Sequence, residues 1–122
     1  MNVAITAGAS GIGLAMAEAF LASGDSVAIC DIDQQAIECF KSKHPNTLAL
    51  CASVNNESEI SDFIAQTEVE LGSIDVLCAN AGTGGPTGAI EDIELDEWKD
   101  CVSVNLDGAF LTAKHAIPGM KK

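Results

Sequence analysis

Thr6-Ala7-Gly8-Ala9-Ser10-Gly11-Ile12-Gly13 is the stretch that decides how the rest of the chain reads. It follows a short apolar run, Val3-Ala4-Ile5, and leads into Leu14-Ala15-Met16-Ala17-Glu18-Ala19-Phe20. Strand, glycine-rich turn and helix, in that order, form the setting in which a glycine pattern signals phosphate binding. Glycines let the backbone bend sharply and approach a ligand with no Cβ in the way. The unpaired N–H groups at the start of the helix, aligned with its dipole, then face an anion. Gly11, Ile12 and Gly13 sit where the turn meets the helix, and Gly8 and Ser10 line the approach. The same pattern also suits a tight turn with small residues for packing, so the flanking sequence must separate the two.

Working outward, Ser23-Gly24-Asp25 stops the first helix, with Gly24 as a left-handed cap. Ser26-Val27-Ala28-Ile29-Cys30 is nearly continuous in apolar residues, as a strand buried on both faces of a parallel sheet should be. Asp31 ends it. A second helix is expected from Gln34 to about Lys43 with Asp33 as N-cap, broken by His44-Pro45-Asn46. Thr47 to Cys51 is a third strand. Asn56 and Glu59 resemble a capping box, and Ile60, Phe63, Ile64, Thr67 and Leu71 mark one face of a helix that Gly72 closes. Ile74 to Cys78 is a fourth strand running into Ala79-Asn80-Ala81-Gly82. A loop from Thr83 to Gly88 follows, then an acidic stretch from Glu91 to Asp100 and a long helix from about Asp96 to Ala116, ended by Pro118-Gly119.

Strand–helix alternation repeated four times implies an α/β fold: a doubly wound parallel sheet with right-handed crossovers. The ligand crevice of such a sheet lies at the carboxyl ends of its strands, where strand order reverses. The first turn, Asp31 and the Asn80 loop all fall at strand carboxyl ends. They therefore converge on one rim despite their separation in sequence.

The chain is long enough for one domain with a core, and residues 1–122 are read as that domain. Its 48% hydrophobic and 20% charged composition is that of a soluble globular protein, with no apolar run of membrane-spanning length and no leader before the first strand. The net charge is −12, with six lysines and no arginine. Nucleic acid and anionic membranes, which need a basic footprint, are excluded as partners. An anionic ligand must be held by backbone dipoles. The five cysteines, Cys30, Cys39, Cys51, Cys78 and Cys101, are scattered and form no metal-ligand pattern. Cys30, Cys51 and Cys78 lie in strand-like runs, where a thiol acts as a small buried hydrophobe. No metal site is expected, and the free thiols point to a reducing, cytoplasmic compartment.

Asp31 follows Gly13 by 18 residues, close to the spacing at which an acidic side chain meets the adenosine ribose of a dinucleotide. A carboxylate there accepts hydrogen bonds from both ribose hydroxyls and repels a 2′-phosphate. With no arginine to hold such a phosphate, the cofactor should be NAD, not NADP.

These features together resemble the N-terminal, cofactor-binding half of the short-chain dehydrogenase/reductase family, whose fold is Rossmann-like. Here the sheet would be incomplete, with about four strands and four helices. The family's turn reads T-G-x-x-x-G-x-G; Thr6, Gly11 and Gly13 match, while Ala7 replaces the first glycine and Gly8 is expected to supply the flexibility. The family's N-N-A-G appears as Ala79-Asn80-Ala81-Gly82. The resemblance implies that the Asn80-Ala81-Gly82 backbone borders the adenosine ribose and nicotinamide side, with the Asn80 side chain bracing the sheet. Ser53-Val54 stands where the family often has Asp-Val, whose Asp recognises the adenine amino group; a hydroxyl accepts that bond less strongly. Val104-Asn105-Leu106-Asp107-Gly108 is similar to the segment carrying the asparagine of the family's Asn-Ser-Tyr-Lys catalytic set. By that resemblance Asn105 sits in a locally irregular helix and orders a water in a proton relay.

The resemblance implies an oxidoreductase moving hydride between nicotinamide and a small alcohol or ketone. The alternative is a non-catalytic NAD-binding or oligomerising module. The sequence contains no tyrosine, so the family's Tyr-x-x-x-Lys motif is not in these residues and the chain alone is expected to be inactive. His44 and His115 read as surface residues, and Trp98 and Phe110 as packing residues. The last helix commonly helps form the subunit interface in the family, and a homo-oligomer is expected.

Overall fold

The computed structural model describes residues 1–122. Four strands, β1 (Asn2–Thr6), β2 (Ser26–Asp31), β3 (Leu48–Cys51) and β4 (Val76–Cys78), form one parallel sheet in the order β3-β2-β1-β4. The helices are α1 (Gly11–Ala22), α2 (Gln34–Lys43), α3 (Glu57–Leu71), α4 (Leu95–Val102) and α5 (Gly108–Met120). A 3₁₀ turn, Ile90–Asp92, precedes α4, and a π-helical turn, Ser103–Asp107, joins α4 to α5. The long final helix expected from the sequence is therefore one helix interrupted by a wider turn. No helix is long and apolar enough to cross a membrane.

Alternation of side chains along the central strands splits the core in two. Val3, Ile5, Val27 and Ile29 point to the side where Ala17, Ile37 and Phe40 of α1 and α2 pack. Ala4, Ala28 and Cys30 point the other way, under Ile60, Phe63 and Ile64 of α3 and Ala116 of α5. Val27, Ala28, Ile29 and Cys30 are all essentially inaccessible, which is why β2 lacks the polar alternation of a half-exposed strand. The chain lays β2 and β3 to one side of β1, then crosses back to place β4 on the other. The reversal lies between β1 and β4.

Local signals set the helix ends. Asp33 accepts the Ala36 N–H at 3.1 Å. Gly24, at φ +85°, closes α1 with the Asp25 N–H donating to the Phe20 carbonyl and the Gly24 N–H to Leu21. Asn56 caps the Glu59 N–H at 3.2 Å, but the box is not reciprocal. The Glu59 carboxylate reaches further back, to the Ser53 N–H at 3.2 Å, because the Asn56 N–H is already bonded to the Ser53 carbonyl. β3 and β4 start later than expected, at Leu48 and Val76, although Ile74 remains buried. The helix also overruns Pro118-Gly119. Pro118 costs one N–H bond in the last turn, but the Lys121 N–H still closes on the Ile117 carbonyl and Ser73 Oγ donates to the Gly119 carbonyl.

The β1–α1 turn corrects one reading. Ala7 itself adopts the left-handed conformation, at φ +52°, while Gly8 does not. Gly8 is needed for space: a Cβ there would lie 2.5 Å from Ile29 Cγ2. Gly13 is tighter still, with a Cβ position 2.0 Å from the Ala7 carbonyl oxygen. Gly11, at φ +56°, is the position where conformation decides.

Cys51, expected to be buried, ends an outermost strand and is exposed. Cys30 is buried, and burial pushes its thiol up to about 12. Iodoacetamide at pH 8 should therefore modify Cys39 and Cys51 first and leave Cys30 untouched until the chain unfolds, as read by peptide mass mapping. Cys30 reacting as fast as Cys39 would contradict the core described above. Gly13→Ala should cost about 1–3 kcal/mol, since backbone must shift to admit the methyl. Ala7→Gly should change stability by less than about 1 kcal/mol, relief of left-handed strain offsetting the entropy glycine adds to the unfolded chain. Urea unfolding of the two variants checks both.

Candidate functional site

α1 begins with three backbone N–H groups, of Gly11, Ile12 and Gly13, that have no partner within the chain. Ser10, the N-cap, makes no side-chain capping bond, and no acidic residue occupies the first turn. The positive end of the helix is thus open to an anion.

Asp31 closes one flank of this opening. Its carboxylate is largely buried and accepts the Ala9 N–H at 3.1 Å through Oδ2 and the Asp33 N–H at 3.1 Å through Oδ1. A carboxylate offers about four acceptor positions, so two remain for further donors. The same bonds fix its orientation and tie the glycine turn to the end of β2.

Asn80 closes the other flank, across the strand reversal. Its side-chain amide donates to the carbonyls of Thr6 at 3.1 Å and Ala7 at 3.4 Å. Thr6 Oγ1 accepts the N–H groups of Asn80 and Ala81, both at 3.0 Å. This side chain therefore braces the sheet and the turn, the role that the family resemblance implied.

Ser10, Asp31, Ser53, Val54, Ala81 and Gly82 surround one cleft of about 260 Å³. Gly8, Gly11, Ile12, Gly13 and Asn80 do not line it. Gly8 and Gly13 shape the turn from beneath, Asn80 holds it, and Ile12 projects into solvent. Sequence reading missed Ala7, Ile32, Ala52 and Val104, which also line the cleft. Ile32 carried a readable signal: an isoleucine directly after the acidic residue that ends a buried strand, and 73% exposed in the structure. The Ser53 hydroxyl donates to Asn55 Oδ1, and the Asn55 amide donates to Ser103 Oγ at 3.1 Å, linking the cleft wall to the π turn.

Asn105 lies in that π turn. Its amide donates to the carbonyls of Thr83 at 3.0 Å and Cys101 at 2.9 Å, and its Oδ1 accepts the Thr83 N–H at 3.2 Å. A wider turn strips a carbonyl four residues back of its usual donor, and the Asn105 side chain supplies one to Cys101. Gly82 makes the approach feasible, since a Cβ there would sit 2.6 Å from Asn105 Oδ1. Beyond Asn105 a second cleft of about 430 Å³ opens, bounded by Thr83, Gly85, Pro86 and Cys101 and sharing Val104 with the first.

The histidines stand apart from both clefts. His44 pairs with Glu18 at 3.3 Å and packs on Phe40, while His115 and Lys114 hold Glu57 between α5 and α3. The hydrogen bond from Lys114, and then that from His115, keeps the Glu57 carboxyl below its ordinary range. No group of three potential metal ligands exists.

Against known proteins, the short chain dehydrogenase family model matches residues 1–122. The chain is 36% identical to 2-(S)-hydroxypropyl-CoM dehydrogenase 3 of Xanthobacter autotrophicus, with 97% of this chain matching 48% of that protein. It is 29% identical to L-fucose dehydrogenase of Bos taurus, over 98% of this chain and 44% of the relative. Among solved structures, 3-ketoacyl-(acyl-carrier-protein) reductase from Brucella melitensis complexed with NADH superposes with a TM-score of 0.93 at 30% identity, over 98% of this chain and 50% of the reductase. The chain spans about half the length of the curated relatives it matches. The match takes in every residue of the parallel sheet and of both clefts, and the chain belongs to the short-chain dehydrogenase family.

Proposed function

We propose that residues 1–122 form the NAD-binding half of an oxidoreductase that moves hydride between a nicotinamide and a small alcohol or ketone. One observation carries the reading: three unpartnered N–H groups open α1 beside a cleft whose other wall holds a fixed, half-satisfied carboxylate. The amides of Gly11, Ile12 and Gly13 suit a pyrophosphate, and the Asp31 carboxylate suits the two hydroxyls of the adenosine ribose. A sugar anchored there sets its base against the neighbouring strand end, where Ser53 and Val54 lie. The cleft of about 260 Å³ falls just below the ~300 Å³ typical of whole small-molecule sites, as befits the adenosine half alone. The nicotinamide half would then pass Ala81 and Gly82 toward the second cleft, beside Asn105.

Bound nicotinamide supplies the redox chemistry; the protein supplies orientation and the path for the proton. Asn105 is assigned to that path, with its side chain locked to Thr83 and its turn held open. The sequence of 122 residues contains no tyrosine to act as the proton donor of this family, so these residues alone bind and do not turn over. The second reading, a non-catalytic NAD-binding or oligomerising module, is favoured by the exposure of Leu106, Phe110 and Ile117 on the last helix, a face suited to a second copy. Five free thiols fit a reducing, cytoplasmic setting.

Thermal unfolding with NAD, NADP and adenosine tests the assignment. NAD at ten times its Kd should stabilise by about 1.4 kcal/mol and raise Tm on the order of 5 °C. NADP should do less, because its 2′-phosphate meets Asp31. Asp31→Ala should erase the difference between the two dinucleotides. Equal shifts in the native protein, or none with NAD, would overturn the cofactor assignment; NADH formation by the pure chain across a panel of alcohols would overturn its inactivity.

A further inference from the structure

One wall of the first cleft is held from outside it. Ser53 and Val54 lie on that wall, in the loop between β3 and α3. Val54 is seated on the start of α5, where a Cβ at Gly108 would come within 2.6 Å of its Cγ2. The next residue, Asn55, reaches Ser103 at the start of the π turn, its amide donating to the hydroxyl oxygen at 3.1 Å. The loop therefore rests at two points on the bend between α4 and α5. Asn55 is exposed, yet its side chain has a fixed direction.

That direction decides what Ser53 can offer a ligand. A serine hydroxyl has one proton and two lone pairs, and when free it turns to donate or accept as its neighbour requires. Here the proton is committed. Ser53 Oγ donates to Asn55 Oδ1, the atom left facing it once the Asn55 amide nitrogen is drawn to Ser103. The backbone groups of Ser53 are also spent: its N–H is bonded to Glu59 Oε1 at 3.2 Å, and its carbonyl accepts the Asn56 N–H at 3.1 Å. What Ser53 keeps for the cleft is the lone pairs of Oγ, an acceptor with no proton to give.

We propose that Asn55 is a positioning residue for the purine: by taking the Ser53 proton while anchored to Ser103, it makes Ser53 an acceptor only, so that the cleft favours a base with an amino group at position 6 over one with an oxygen there. This rests on the cofactor assignment, which sets the base against Ser53. An exocyclic amino group donates to Oγ, whereas a 6-oxo base meets it lone pair to lone pair and leaves both oxygens unsatisfied. The selectivity thus originates in a residue that does not itself line the cleft. Ser53 with a free proton would accommodate either base.

Isothermal titration of the 122-residue protein compares NAD with nicotinamide hypoxanthine dinucleotide, which carries an oxygen in place of the 6-amino group. The expected result is about tenfold tighter binding of NAD. Asn55→Ala should cut that ratio at least about threefold, chiefly by improving the hypoxanthine dinucleotide, with an unchanged circular dichroism spectrum. Loosening of the loop would instead weaken both ligands alike. Asn55→Asp keeps an acceptor opposite the Ser53 hydroxyl and should hold the native ratio. Equal or reversed affinities in the native chain would overturn the proposal alone. So would an unchanged ratio in Asn55→Ala, or a lost one in Asn55→Asp. Failure of the native chain to bind either dinucleotide would overturn it together with the cofactor assignment.

Discussion

The Thr6 hydroxyl is the junction on which the rest of this architecture depends. It sits at the end of β1, essentially inaccessible, and accepts two N–H groups from the loop that leaves β4. β1 and β4 are the strands between which the chain reverses direction across the sheet, so this bond set fastens the two sides of the crevice together. Asn80 repays the contact by holding the carbonyls of Thr6 and Ala7. With both anchored, the turn that follows has little freedom, and Ala7 stays in a conformation an alanine disfavours. The open amides of α1 are therefore aimed by a clamp two strands wide, not by the glycines alone.

A second clamp acts from the opposite side. Asp31 takes the Ala9 N–H, and Gly8 donates to the Cys30 carbonyl, so the turn is stitched to β2 as firmly as to β4. The carboxylate thus has two duties, ordering the turn and presenting its remaining lone pairs to the cleft. An acidic residue at this position is more than a solvated strand end, because removing it unties a backbone N–H in a buried place.

Much of this was legible in the sequence. Continuous apolar runs named the strands, since a parallel sheet covered on both faces asks for no polar alternation, and Val27 to Cys30 obey that rule. Convergence of the turn, Asp31 and Asn80 on one rim followed from topology alone. What escaped were matters of local competition. That Ala7 and not Gly8 takes the left-handed conformation goes with bonds to the turn from Asn80, 73 residues away, which no window of sequence reveals. Glu59 was expected to complete a capping box but found Ser53, because the nearer donor was already taken. Cys51 and Cys30 sit in similar apolar strings, and only strand order separates the edge from the centre. Ala52 and Val104 line the cleft as apolar residues with no chemistry to announce them.

The charge of the chain sharpens the meaning of that cleft. A protein of net charge −12 repels an anionic cofactor at long range. At physiological ionic strength, however, charges beyond roughly 8 Å are largely screened. Inside that radius the balance at the mouth of α1 is set by what lies there: three unpartnered N–H groups, a helix dipole and a first turn free of acids. The acids are instead concentrated elsewhere, most densely between Glu91 and Asp100. Local dipoles and screened distant charges are thus compatible, and the dipoles carry directional information that a lysine would not. A flexible ammonium attracts any anion, whereas fixed amides beside a fixed carboxylate accept a phosphate on one side and refuse it on the other. That contrast over a short span is the physical basis of the proposed preference for an unphosphorylated ribose at a site without a single arginine.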